Sequence, residues 1–248
     1  MVGLSSILFW RLKRHVSMKY FIFGGLVWFI AIIPKFVMDY TVTPILRVWS
    51  VNSFGWLVAL IVIGAYVGFR TGVFECGFTF LAFSKSHLRE ISLDDATAFG
   101  IGFGAFEAIF IAVPSLIQIA AFILNPSLLD MLPPTQRQLI EAQLSLPTWT
   151  VPAPIIERLF TLFVHLFTTL LIFISVTQRK LSYFLSAFLY KSILDALVPY
   201  IQTIVKPDTT VGIYTAEIWV AILGLVAITG TYWTRKTAFR AQQETQLL

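Results

Sequence analysis

The chain has 248 residues, of which 57% are hydrophobic and only 12% charged, with a mean hydropathy of +0.81. A soluble domain of this composition would carry more apolar surface than it could bury, so lipid must be the solvent for much of it. The net charge of +5 does not point to nucleic acid, because the basic residues stand beside the ends of apolar runs and form no aromatic-interleaved surface. Cys76 is the single cysteine, which leaves no disulfide within the chain and no inference about compartment.

Taken in order, residues 1–10 are apolar but lack a preceding basic region and a small-residue cleavage site, so they read as an interfacial segment and not as a removable signal. A hydrocarbon core of roughly 30 Å takes about 20 helical residues. Apolar runs of that kind lie at residues 20–38, 54–83, 97–124, 154–177, 181–204 and 211–233. The short alternating strands of a membrane barrel are missing from the pattern. The expected class is therefore all-α, a polytopic transmembrane bundle of six helices forming a single integral membrane domain over residues 1–248.

The second run is the exception in length. Its 30 residues would extend about 45 Å as a continuous helix, so it must tilt strongly, project from the membrane or break near Gly72. Splitting it around Arg70 gives a seven-helix alternative. Charge favours six: with both termini inside, the inner segments hold Arg11, Lys13, Arg14, Lys19, Lys85, Arg89, Arg179, Lys180, Arg235, Lys236 and Arg240, against Arg47, Arg137 and Lys206 outside. Trp49, Trp56, Trp149, Tyr200 and Tyr214 then fall at the outer boundary, and Tyr20, Tyr183 and Trp233 at the inner one. The expected location is the plasma (inner) membrane with cytoplasmic termini. The proline-punctuated, Gln-containing stretch 125–151 reads as an outer cap carrying a short amphipathic helix.

Ionisable groups at bilayer depth cost roughly 2.5 kcal/mol or more, so each needs a partner or a purpose. Counted from the inner ends of their helices, Glu75, Glu107, His165 and Asp195 lie at depths of about 12–21 Å at 1.5 Å per residue. Four helices thus bring an acid or a histidine to similar depth. The residues alone leave two roles open for this band: hydrogen bonding that specifies packing, or a working site. Gly100 and Gly104, four apart ahead of Glu107, permit close approach of a neighbouring helix. Lys191 and Asp195, also four apart, read as an ion pair within one helix, with Lys191 otherwise available to supply positive charge to Glu107 or an anionic group. Glu157 and Arg158 read as snorkelling interfacial anchors, Arg70 as internally paired, and Glu217 has no evident partner. No Ser–His–Asp set, cysteine pair or HExxH helix is present.

At these positions the chain resembles the YhfC-type intramembrane metalloproteases, a branch near the CAAX-processing and bacteriocin-processing membrane peptidases. The motifs of that family are Gly-x-Phe-Glu-Glu-x-x-Arg, Gly-x-Gly-His-Gly-x-x-Glu, Glu-Arg followed seven residues later by His, and His-x-x-x-Asp. This chain has Gly72-Val73-Phe74-Glu75-Cys76-Gly77-Phe78-Thr79, then Gly100-Ile101-Gly102-Phe103-Gly104-Ala105-Phe106-Glu107, Glu157-Arg158 with His165, and Lys191-Ser192-Ile193-Leu194-Asp195. The similarity runs from about Tyr20 to Ile204.

The resemblance implies a glutamate that activates water and histidines that bind metal or steady the oxyanion. The departures fall on that chemistry: Cys76 stands for the second Glu, Thr79 for Arg, Phe103 for one His and Lys191 for another. Glu107, His165, Glu75 and Asp195 remain as candidate catalytic residues and metal donors, with zinc the cofactor of an active site and Lys191 set to repel it. The expectation is a pseudoenzyme that needs no cofactor and binds a membrane helix, a lipidated peptide or a partner subunit within the lipid bilayer, with no nucleic-acid role. A divergent protease using Glu107 and His165, and a transporter, channel or complex subunit whose acids carry ions, are the alternatives.

Overall fold

The computed structural model describes residues 1–205 and 209–246, with side chains through residue 237; Lys206 and the Arg240 side chain from the charge tally lie outside these. Ten α-helices follow in order: α1 (Val2–Arg14), α2 (Met18–Phe54), α3 (Trp56–Thr71), α4 (Gly77–Lys85), α5 (Leu93–Leu124), α6 (Pro134–Leu144), α7 (Pro152–Thr177), α8 (Leu181–Ala196), α9 (Val198–Ile204) and α10 (Thr210–Gln246). No strand occurs among the described residues. Six helical stretches are long and apolar enough to cross a membrane, as the apolar runs require.

Departures from the expected boundaries have local causes. The first span does not stop near Met38 but runs 37 residues to Phe54, carrying Pro34 and Pro44 within it, and ends where Gly55 turns to φ 78°. Arg47 and Trp49 therefore sit on the last turns of a helix and not in a loop. The long second span is interrupted at Gly72, where Gly72–Cys76 form a π-helical turn between α3 and α4. No seventh crossing results. A Ser92 and Asp95 capping box starts α5 at Leu93, ahead of the expected Thr97. The fifth span divides at Leu197, next to Pro199. The cap over 125–151 contains the expected short helix, α6.

α7 is the central column and packs against α5, α8 and α10. Its stretch from Thr161 to Val176 is almost wholly buried, including Val164, His165, Leu166, Leu170 and Ile172. Around it, apolar driving force between helices is weak because lipid tails are as apolar as leucine, so small residues that let backbones approach decide where helices meet. A Cβ on Gly24 would lie 1.9 Å from the Phe99 carbonyl oxygen, and one on Gly102 2.0 Å from that of Phe21, which fixes the α2–α5 crossing. Gly64 and Gly68 bring α3 equally close to the Ala196 and Ser192 carbonyls of α8. Gly100 and Gly104 face Leu166 and Leu162 of α7, as their spacing suggested.

One end of the bundle collects the basic residues. There the Asp94 carboxylate binds Arg235 at 2.5 Å and lies 3.9 Å from Arg14, while the Trp10 indole donates to the Asp94 carbonyl at 3.1 Å. α1 is not confined to an interface. From that end it runs alongside α5, because Gly3 lets it seat against Ala105. At the opposite end Trp149 and Tyr214 stack at 5.9 Å and the Tyr214 hydroxyl donates to the Trp149 carbonyl at 2.6 Å, which ties the turn ahead of α7 to α10.

Gly102→Val is expected to lower the melting temperature of the detergent-purified protein through about 1–3 kcal/mol of overpacking against Phe21. Gly77→Ala, where a Cβ meets nothing within 4 Å, is expected to be neutral or slightly stabilising, and an equal loss in both variants would remove the α2–α5 contact as the cause.

Candidate functional site

The polar band converges. Ligand-capable atoms of Glu75, Glu107 and His165 lie within 4.8 Å of one another, supplied by the π turn, α5 and α7. A π turn adds a residue to a helical turn and rotates everything beyond it by about 100°. Here it carries Glu75 itself, which is 4% exposed. On the facing helix Gly104 allows α5 to approach so closely that its Cβ would stand 3.3 Å from the His165 side chain, and Glu107 follows three residues along.

Glu75 is held between two ammonium groups. Lys35 Nζ lies 2.6 Å from its Oε1 and Lys191 Nζ 3.1 Å from its Oε2. Lys191 Nζ also stands 3.0 Å from His165 Nδ1 and 3.2 Å from Nε2. His165 Nε2 is 3.0 Å from Glu107 Oε2, so the ring acts as donor to the carboxylate there and as acceptor towards Lys191 at Nδ1. Both Glu107 oxygens have further partners: the Trp28 indole donates to Oε2 at 3.0 Å and Arg158 to Oε1 at 3.1 Å. Arg158 in turn pairs with Glu157. Beyond Lys35, Asp195 lies 3.7 Å away and accepts a 2.6 Å hydrogen bond from the Thr71 hydroxyl. The result is a chain of alternating charge through the bundle: Asp195, Lys35, Glu75, Lys191, His165, Glu107, Arg158, Glu157.

Three of the four expected site residues therefore meet, and the fourth, Asp195, is set apart behind Lys35. Two expectations are corrected. Lys191 makes no pair with Asp195 among the described residues; it crosses to Glu75 as an ion pair and to His165 at hydrogen-bond distance, while Asp195 remains on the Thr71 hydroxyl. Arg158 does not snorkel to an interface but turns inward, because Glu107 would otherwise be short of a cation. Arg70 pairs internally as expected, with Asp39 at 2.6 Å and the Lys35 carbonyl at 3.1 Å. One Glu217 carboxylate oxygen is buried without a hydrogen-bond partner.

Counting only acids and histidine overlooked Lys35 and Trp28. The signal for Lys35 was present, since a lysine inside an apolar run is as costly as an acid there. Nothing in the sequence marked Trp28, one of many aromatics in the spans.

The donor set does not fit zinc. A structural or catalytic zinc takes neutral imidazole nitrogen or carboxylate oxygen at about 2.0–2.2 Å in open tetrahedral array. Here both His165 nitrogens already face a neighbour, and both Glu75 oxygens face ammonium groups. A dication 4 Å from one ammonium would meet a repulsion of about 8 kcal/mol at an effective dielectric of 20. Phe103 fills the adjoining space, its ring 5.0 Å from that of His165. The cavity left between Glu75, Cys76, His165 and Lys191 measures about 10 Å³, barely one water.

Lys35→Met is expected to cost about 3–5 kcal/mol, because Glu75 loses a partner in the interior. Adding Glu75→Gln should recover much of the loss in thermal unfolding of the purified protein; simple additivity of the two changes would show that the pair is not coupled.

A family model described as YhfC intramembrane metalloprotease matches residues 1–215, a longer stretch than the motifs alone cover. No curated protein and no solved structure matches the chain.

Proposed function

The chain belongs to the YhfC intramembrane metalloprotease family, and we propose that it is a catalytically degenerate member, which keeps the family's bundle to hold a membrane helix, a lipidated peptide or a partner subunit. Lys191 carries this reading: its ammonium lies among the Glu75 and His165 atoms that a metal would need. Glu107 adds support, since a general base needs a lone pair aimed at water, and Trp28, His165 and Arg158 take three of its carboxylate's lone-pair positions. A cavity of about 10 Å³ also leaves no room for a scissile peptide bond.

The binding role is favoured by α5. Residues 111–119 are exposed at every position, more than two turns with no face covered by the rest of the chain, and they begin one turn beyond Glu107. A partner helix laid there would run past the charged cluster. The excess of Lys and Arg at one end supports a plasma (inner) membrane orientation with both termini in the cytoplasm.

Detergent-purified protein is expected to hold far less than one zinc per chain by mass spectrometry, with Glu107→Gln and His165→Ala unchanged, and Lys191→His raising the bound fraction. Stoichiometric zinc that disappears in His165→Ala would overturn the degenerate-site assignment. A photo-crosslinking residue at Ile117 is expected to give a discrete protein adduct in the native membrane, while the same probe at Leu225 of α10 gives lipid only. Lipid adducts at both positions would remove the docking role of α5.

A further inference from the structure

A second cavity, unrelated to the charged cluster, lies at the end of the bundle opposite the basic residues. It measures about 210 Å³ and opens between the last turns of α2, the start of α3 and α9. Its apolar side is made by Ala59, Leu60 and Ile63, of which Ala59 and Ile63 are buried, 3% and 4% exposed. Its polar lining comes from Arg47, Gln202 and Thr203. The Arg47 guanidinium forms neither an ion pair nor a hydrogen bond with any described residue, whereas Arg70, Arg158 and Arg235, which also stand on membrane-spanning helices, are each paired within the protein.

Position identifies the ligand chemistry. Arg47 stands 29 residues beyond Met18, at the start of α2, so it lies about 44 Å along the helix. That matches the roughly 40–45 Å thickness of a bilayer with both headgroup layers included, whereas a 30 Å core would end near Lys35 to Tyr40 in an untilted helix. A phosphate held by Arg47 would be bound by a rigid fork of donors, with the Gln202 amide beside it. The apolar wall beneath it then lies at acyl-chain depth. The volume of about 210 Å³ is too small for a protein helix but enough for one stretch of lipid chain.

We propose that this groove is a binding site for one anionic glycerophospholipid of the leaflet opposite the basic end, its phosphate on Arg47 and one acyl chain against Leu60 and Ile63. A net-anionic headgroup is preferred over a zwitterionic one because the groove offers a cation and, among the described lining residues, no carboxylate to receive a choline group. This site stands independently of the degenerate-protease assignment.

Delipidated full-length protein, titrated with phosphatidylglycerol and followed by native mass spectrometry, is expected to retain one lipid per chain. Arg47→Gln and Leu60→Trp should each weaken that retention at least fivefold, the first by removing the charge and the second by filling the groove, while Arg47→Lys keeps most of it and all three variants keep the wild-type melting temperature. Equal retention in Arg47→Gln and wild type would overturn the site. So would loss in Arg47→Gln with Leu60→Trp unaffected, which would mean diffuse surface attraction, and so would equal binding of chainless glycerol 3-phosphate, which would mean a soluble phosphate ligand.

Discussion

Glu75 lies in the interior with its two carboxylate oxygens at 2.6 Å and 3.1 Å from the ammonium groups of Lys35 and Lys191, and the arrangement of the bundle follows from that compensation. A lone charge in so dry a place would cost several kcal/mol even after relaxation. Each cation that neutralises Glu75 brings a helix with it: Lys35 brings α2 and Lys191 brings α8. His165 and Glu107 extend the same alternation to α7 and α5, and Arg158 closes it. Four of the six spans, together with the π turn of a fifth, are therefore held by one connected set of charges.

Close backbone approach makes that set reachable. Gly24 and Gly102 bring α2 and α5 together, Gly68 seats α3 on Ser192 of α8, and Gly104 presses α5 on His165. Packing and electrostatics are here one device, since a 3 Å hydrogen bond between helices requires axes that only small residues permit. The π turn serves the same end by re-aiming Glu75 in a span that would otherwise keep an unbroken helical register.

On the degenerate reading proposed above, the chain carries fixed charges and bulk where the pattern it resembles has neutral ligands. A histidine lone pair can be offered to a metal; the Lys191 ammonium can only be offered to an acid. Phe103 occupies volume where a histidine would leave a polar edge. The cluster compensates most of its own charge, and the open features lie outward: the uncovered half of α5 and the groove beside Arg47.

Length, hydropathy and the placement of Lys and Arg determined by themselves that this is a helical membrane protein with six spans, since those properties depend only on bilayer thickness and on the composition along the chain. They also named a break near Gly72 as one of three ways to fit the long second run, the one the π turn takes, and placed Glu75, Glu107 and His165 at common depth, because depth is a linear count along a helix. Which of those groups meet was decided by rotation of each helix about its axis, and that is set by contacts with other helices. Asp195 sits at the right depth but turns to Thr71; Arg158 has the composition of an interfacial anchor but turns to Glu107. Lys191 has an acid one turn away and still reaches across to other helices, because the interior offers it a carboxylate and an imidazole at once and the near neighbour is already served. Only the tertiary structure could choose among partners that the sequence leaves equally available.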